Sequence, residues 1–328
     1  MLDKLFPLYA FMFFISLLFT ASLEKRLIPY LKAKAGQPIY MDGPSWHRPK
    51  DGTPTMGGIA FIAAITTSLI IAFLLIRQTV EKAEALKLLL LILYAVSNAL
   101  VGFIDDRKKL LKKQNDGGLK PREKLILQLL LATAFLVLRI SVLGGTTAIV
   151  FSFGTLELGF FYYPITVFIL LGMINSVNLT DGIDGLASSV TFAVGISFFY
   201  ISYTIGSSMT LCSAALIGAT VGFLIFNLHP AKIFMGDTGS LFFGALVSGM
   251  AVLLDNPIMI ILIGAVYSIE GFSVVMQVLC FKLFKRRIFK MAPLHHHFEK
   301  CGYSENTICI AAIIISFIFS VFAYFFYV

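Results

Sequence analysis

Ten mostly apolar runs, between 15 and 24 residues long, divide this chain and leave little room for any fold but a bundle of membrane-spanning helices. They cover 5–23, 56–76, 86–104, 124–140, 160–177, 185–204, 209–226, 240–254, 257–280 and 305–327. A spanning helix needs about 20 mostly apolar residues, so the runs at 124–140 and 240–254 are the weakest of the set. Only 13% of the residues are charged, against about 25% in a soluble domain. The expected fold is all-α: a polytopic membrane bundle of about ten helices, forming a single integral membrane domain over 1–328. One exception is the stretch 145–159, which alternates around Gly154 and reads as a β-hairpin. The first run has Glu24, Lys25 and Arg26 behind it and no small-residue cleavage site, so it is expected to stay as a helix and not to be removed as a signal peptide. Cys212, Cys280, Cys301 and Cys309 show no C-x-x-C spacing and read as buried thiols.

Charge sets the expected orientation. With the N-terminus outside, the inside segments collect 21 Lys and Arg: six in 24–55, eight in 105–124, one in 227–239 and six in 281–304. The outside segments hold five: Lys4, Arg77, Lys82, Lys87 and Arg139. Such a bias places both termini and the hairpin outside. It also accounts for the net charge of +8 without nucleic acid as a partner. Asp105, Asp106, Asp181, Asp184, Asp237 and the triple His295, His296, His297 then share the cytoplasmic face. Acids beside hydrocarbon are costly, and where they recur they mark an ion or substrate site.

Each polar segment has a bland alternative. Asp105 and Asp106 end the third run, where a helix dipole disfavours anions and mutual repulsion raises one pKa unless a cation is present. Arg107, Lys108 and Lys109 would neutralise the same pair in a simple solvated helix end. In the segment Asn178-Leu179-Thr180-Asp181-Gly182-Ile183-Asp184-Gly185, a helical turn would put Asp181 and Asp184 on one side. Thr180 or Asp181 is available to cap the following helix. Asp237 lies between Gly236 and the Thr238-Gly239 pair just before a helix, a place for a metal-bound anion or simply an N-cap. Phe234 is an apolar ring in that loop, along with Asn227 and His229. Three consecutive histidines do not fit one Zn²⁺, because neighbours on a helix point about 100° apart. They suit contact with a diphosphate or a sugar, or a solvated loop. Glu270, midway along the ninth run, reads as packing glue between helices or as part of a proton path.

Taken in order, these segments resemble the polyprenyl-phosphate N-acetylhexosamine-1-phosphate transferases, nearly end to end. The motifs are Gly36-Gln37-Pro38-Ile39, Gly52-Thr53-Pro54-Thr55-Met56-Gly57-Gly58, Gly102-Phe103-Ile104-Asp105-Asp106, Asn178 to Gly185, Phe234-Met235-Gly236-Asp237-Thr238-Gly239-Ser240, and Met291-Ala292-Pro293-Leu294-His295-His296-His297-Phe298-Glu299. The last belongs to the muramoyl branch of that family.

The resemblance implies that undecaprenyl phosphate attacks the β-phosphorus of UDP-MurNAc-pentapeptide, releasing UMP, with Mg²⁺ as cofactor, in the bacterial cytoplasmic membrane and in a homodimer. It implies Asp237 as the metal ligand and Asp105, Asp106, Asp237 and His296 as catalytic, with Asp105 toward the lipid phosphate. Asp184 and Asn227 would contact uridine and Phe234 would stack on uracil. Asn178 and Asp181 would line the centre. Lys50, Thr55, Lys109, Lys113 and Lys124 would hold phosphates or sugar, with His295 and His297 beside His296. Direct attack and a two-step route through an aspartyl-phosphate both fit these residues. Among rivals, a transporter would carry ionisable groups near mid-membrane and an inverted repeat, and an envelope scaffold would not need five clustered acids. A sister enzyme moving GlcNAc-1-phosphate onto the same lipid is the nearest alternative.

Overall fold

The computed structural model describes residues 6–34, 50, 52–112 and 117–328. Among these residues twelve α-helices and one hairpin follow in chain order: α1 (Phe6–Lys34), α2 (Gly58–Ile76), α3 (Lys82–Lys112), α4 (Pro121–Leu143), β1 (Ala148–Phe151), β2 (Gly154–Glu157), α5 (Tyr162–Thr180), α6 (Leu186–Thr204), α7 (Met209–Asn227), α8 (Gly236–Leu253), α9 (Met259–Ile263), α10 (Ala265–Phe284), α11 (Leu294–Glu299) and α12 (Glu305–Tyr327). Ten helices among the described residues are long and apolar enough to span a membrane, as the runs predict.

Three expected boundaries are corrected, and each matters for the site. The run 257–280 is not one helix: α9 stops at Gly264, whose φ of −96° and ψ of 36° leave the helical range, and α10 starts afresh. The third helix does not end at 104 but continues two turns to Lys112. Asp105 and Asp106 therefore sit within a helix and do not face a C-terminal dipole; Lys109, one turn on, pairs with Asp105 at 2.7 Å. The eighth helix starts at Gly236, which places Asp237 in its first turn.

That eighth helix is the hub of the bundle. It is among the least hydropathic of the spans, yet it is buried from Thr238 to Leu253, because neighbours and not lipid surround it. Glycines let the neighbours close in. A Cβ on Gly102 of α3 would run into the backbone carbonyl of Asp237, one on Gly58 of α2 into Gly239, and one on Gly244 into the α5 backbone at Ile174. Small residues at crossings replace the hydrophobic drive that lipid cannot supply. On α7, Gly218 and Gly222 meet the α1 carbonyls of Phe13 and Leu17 in the same way.

The hairpin forms as expected, antiparallel, with Ala148 opposite Glu157 and Phe151 opposite Gly154. Ser152 N–H donates to the Phe326 carbonyl at the end of α12 (2.9 Å), and Asn256 Nδ2 donates to Val150 O (2.8 Å). The start of α12 lies beside Asp184. A single helix thus runs from the hairpin end of the bundle to the end where the acids collect.

Candidate active site

Two polar clusters share that second end. The first joins α3, α4, α5 and α8. Asp106, buried on α3, accepts the backbone N–H groups of Asp237 (3.1 Å) and Thr238 (2.9 Å) and the Thr238 hydroxyl (2.6 Å). It caps α8 from another helix, a role the sequence assigned to Asp237 itself. Gly236 is required just before this contact: its φ is +69°, and a Cβ would press on Asp106 Oδ2 and Thr55 Oγ1. Asp105 accepts Leu119 N–H at 2.6 Å as well as the Lys109 ammonium. Asp237 is held by Lys124 (2.6 Å), Lys109 (3.2 Å) and Asn178 Nδ2 (2.9 Å), and Asn178 also donates to Ser240 Oγ at 2.7 Å.

Asp181 completes this cluster electrostatically. Burial, then the charges of Asp237, Asp106 and Asp184, push its carboxyl well above the usual carboxylate range. Three carboxylates, Asp105, Asp106 and Asp237, therefore face two ammonium groups, Lys109 and Lys124, with the Asp181 carboxyl beside them. The residual negative charge is what a divalent cation relieves. Oxygens of Asp105, Asp106 and Asp237 lie within 4.8 Å of one another, and an all-carboxylate donor set suits a hard ion such as Mg²⁺. Nearby Thr55 Oγ1 is buried with no hydrogen-bond partner, a polar atom left for something that enters. The donor set fits the metal that the motifs imply.

The second cluster gathers round Asp184. Its Oδ1 pairs with Lys50 Nζ at 2.7 Å; its Oδ2 meets His229 Nδ1 at 3.0 Å and accepts Ala231 N–H at 2.9 Å. Glu305, opening α12, takes Lys50 Nζ (2.7 Å) and the Asp184 backbone N–H (2.7 Å). Asn227 is buried one loop away, accepting from Ser188 Oγ (2.8 Å) and donating to Ile233 O (2.9 Å). It thereby pins the loop that carries Phe234. The Phe234 backbone is tied in turn to Pro54 O and Gly57 N–H, both at 2.9 Å.

The two acids of the 178–185 segment do not share a helical turn, contrary to expectation. Residues 181–185 form a turn and not a helical run, so Asp181 faces the first cluster and Asp184 the second. Neither Thr180 nor Asp181 caps α6. The cap position is Gly185 at φ +77°, and Thr180 Oγ1 bonds back to Ser176 O.

The histidines also part company. His295 is fully buried, with Nδ1 3.2 Å from Glu270 Oε2. His296 Nδ1 meets Glu299 Oε2 at 2.6 Å. His297 Nδ1 accepts Lys290 N–H at 3.1 Å, with its ring edge-on to Phe289 and Phe298. Lys113 lies outside the described residues. Sequence reasoning missed Glu305, whose place in a first helical turn reads as a dipole acid. It also gave no role to His229, Thr238 or Ser240. His229 stands before Pro230 in a loop already marked as polar, which was the one usable signal.

Residues 86–255 match the family model described as Glycosyl transferase family 4, and residues 50–62 match the Phospho-N-acetylmuramoyl-pentapeptide-transferase signature 1. A Phospho-N-acetylmuramoyl-pentapeptide-transferase of Thermoanaerobacter sp. (strain X514) is 47% identical over 294 residues, covering 89% of this chain and 90% of the relative. One of the same name from Clostridium perfringens (strain SM101 / Type A) is 42% identical, covering 94% of each chain. Another, from Desulforamulus reducens, is 43% identical over 93% of this chain and 92% of its own.

Proposed function

The chain belongs to the phospho-N-acetylmuramoyl-pentapeptide transferase family, and from that premise we propose how it works. It moves phospho-MurNAc-pentapeptide from UDP-MurNAc-pentapeptide to undecaprenyl phosphate, releasing UMP and forming lipid I. The observation that carries the mechanism is the meeting of Asp105, Asp106 and Asp237 from two helices, with Lys109 and Lys124 against them. Phosphoryl transfer needs charge neutralisation and in-line positioning more than covalent help from the protein.

Asp237 and Asp105 are the residues that would hold Mg²⁺, and Asp106 is a positioning residue that fixes the first turn of α8. When bound, Mg²⁺ would offset the negative charge of the diphosphate. Lys109 and Lys124 are poised to exchange their carboxylate partners for phosphate oxygens. Asn178 orients Asp237 through its amide. A phosphate monoester is mostly dianionic at neutral pH, so Asp105 has little proton to take from the lipid phosphate and acts chiefly by position. The Asp184 cluster, with Asn227 behind it and Phe234 in the adjoining loop, is the nucleoside side of the site. Lys50 sits there, paired with Asp184 and Glu305. The Lys and Arg bias supports a cytoplasmic face for both clusters, and the family resemblance supports a homodimer.

The test is UMP release from purified protein in detergent with both substrates. UDP-GlcNAc in place of the muramoyl substrate is expected to give no product; comparable turnover with it would move the chain to the sister activity. EDTA is expected to abolish turnover and added Mg²⁺ to restore it, while activity that persists after exhaustive chelation would remove the metal from the mechanism. Lys50→Met is expected to raise KM for the UDP substrate about tenfold, the cost of one charge-assisted hydrogen bond, with kcat little changed. An unaltered KM would take Lys50 out of the nucleoside pocket.

A further inference from the structure

We propose that Glu270 is a positioning residue for the transfer: from inside α10 it fixes the start of α11 and the His295 ring, and through that ring the 181–185 turn. A carboxylate in the body of a membrane-spanning helix is costly and needs a compensating role. Glu270 is buried, and its two oxygens accept the N–H of Leu294 (2.7 Å) and of His295 (3.1 Å). Both donors lie in the first turn of α11, whose N–H groups have no partner within the helix. The same carboxylate lies 3.2 Å from His295 Nδ1. No hydrogen bond is formed there, and Nε2 has no partner either.

The imidazole presses on the substrate-facing turn. A Cβ at Gly182 would collide with His295 Nε2, so only glycine fits between Asp181 and Asp184 at this point. One residue after Glu270, Gly271 lies against Ser176 Oγ of α5. This close approach holds α10 to the helix that ends in the same turn. His295 has no exposed surface. It is a strut between Glu270 and Gly182 and does not itself touch substrate. Because Asp181 belongs to the reaction centre and Asp184 to the nucleoside side, a shift at Gly182 disturbs both. Asp105, Asp106 and Asp237 as the reaction centre are a premise of this inference, and that premise has its own test: retained turnover in Asp237→Asn would count against the centre and not against Glu270.

The experiment uses the full-length protein in detergent with both substrates. Glu270→Gln keeps the side chain's shape and one acceptor but loses the charge and the second acceptor. It is expected to keep the wild-type thermal midpoint, to lose about 10- to 100-fold in kcat, as small misplacements do, and to raise KM for the UDP substrate. Adding His295→Ala is expected to cause no further loss, since both changes remove one strut. Unchanged kinetics, a fall in kcat at wild-type KM that tracks the folded fraction, or losses that add in the double variant would each overturn the proposal. Should Glu270→Gln fail to fold, Gly182→Ala asks the same question from the other side. It is expected to impair turnover and to recover partly when His295→Ala removes the ring it strikes. Absence of that recovery would overturn the strut.

Discussion

Asp237→Asn is expected to lower turnover at least about 10³-fold while the protein still folds. Removal of one preorganised charge from a reaction centre costs on the order of 10²–10³. Here the same side chain is also the proposed metal ligand, and its carboxylate is the shared partner of Lys109 and Lys124. The amide would leave two partly buried ammonium groups without that partner, which is costly in its own right. The helix should survive the change. Asp106 holds the first turn of α8 through the backbone N–H of residue 237 and through Thr238, and neither contact uses the Asp237 side chain. Single-turnover UMP release, with thermal unfolding as the control for folding, separates the two effects. A rate within tenfold of wild type would remove Asp237 from the reaction centre.

Gly102→Ala is expected to reduce activity about 10²-fold through geometry alone. The added methyl has nowhere to go: the Asp237 carbonyl and the Thr238 nitrogen occupy its place. These are backbone atoms, which cannot rotate away as a side chain would. Overpacking of this kind costs roughly 1–3 kcal/mol. The part relieved by separation of α3 from α8 would move Asp105 and Asp106 away from Asp237, and a misplacement of about 1 Å suffices for that loss of rate. Gly172→Ala on α5 is the matched control, since a Cβ there meets nothing within 4 Å, and it should behave as wild type. If Gly102→Ala and Gly172→Ala gave equal rates, the α3–α8 contact would not be what sets the acid geometry.

The bundle was legible because lipid imposes a length and a composition on every span, and the hairpin because Gly154 breaks an alternating run. The polar residues that meet at that end were legible as a set but not as two clusters. Asp181 and Asp184 share a motif, and only the turn at 181–185, with Gly185 at positive φ, sends them to different neighbours. Nor does a polar run mark where a helix stops. Asp105, Asp106 and Lys109 look like a loop by composition, yet contacts with α8 and Leu119 carry α3 through them. Glu305 was invisible as a partner because its contacts, Lys50 and Asp184, are 255 and 121 residues distant. His295 shows the converse: a motif residue expected at the substrate turns out to be sealed inside, where its ring bears on Gly182.

The most direct measurement is Mn²⁺ binding to the detergent-solubilised protein, followed by electron paramagnetic resonance as free ion is taken up. If the carboxylates of α3 and α8 form one cation site, the wild-type protein binds Mn²⁺, Asp237→Asn loses that binding, and Asp184→Asn keeps it. Equal Mn²⁺ affinity in wild type and Asp237→Asn would contradict the account.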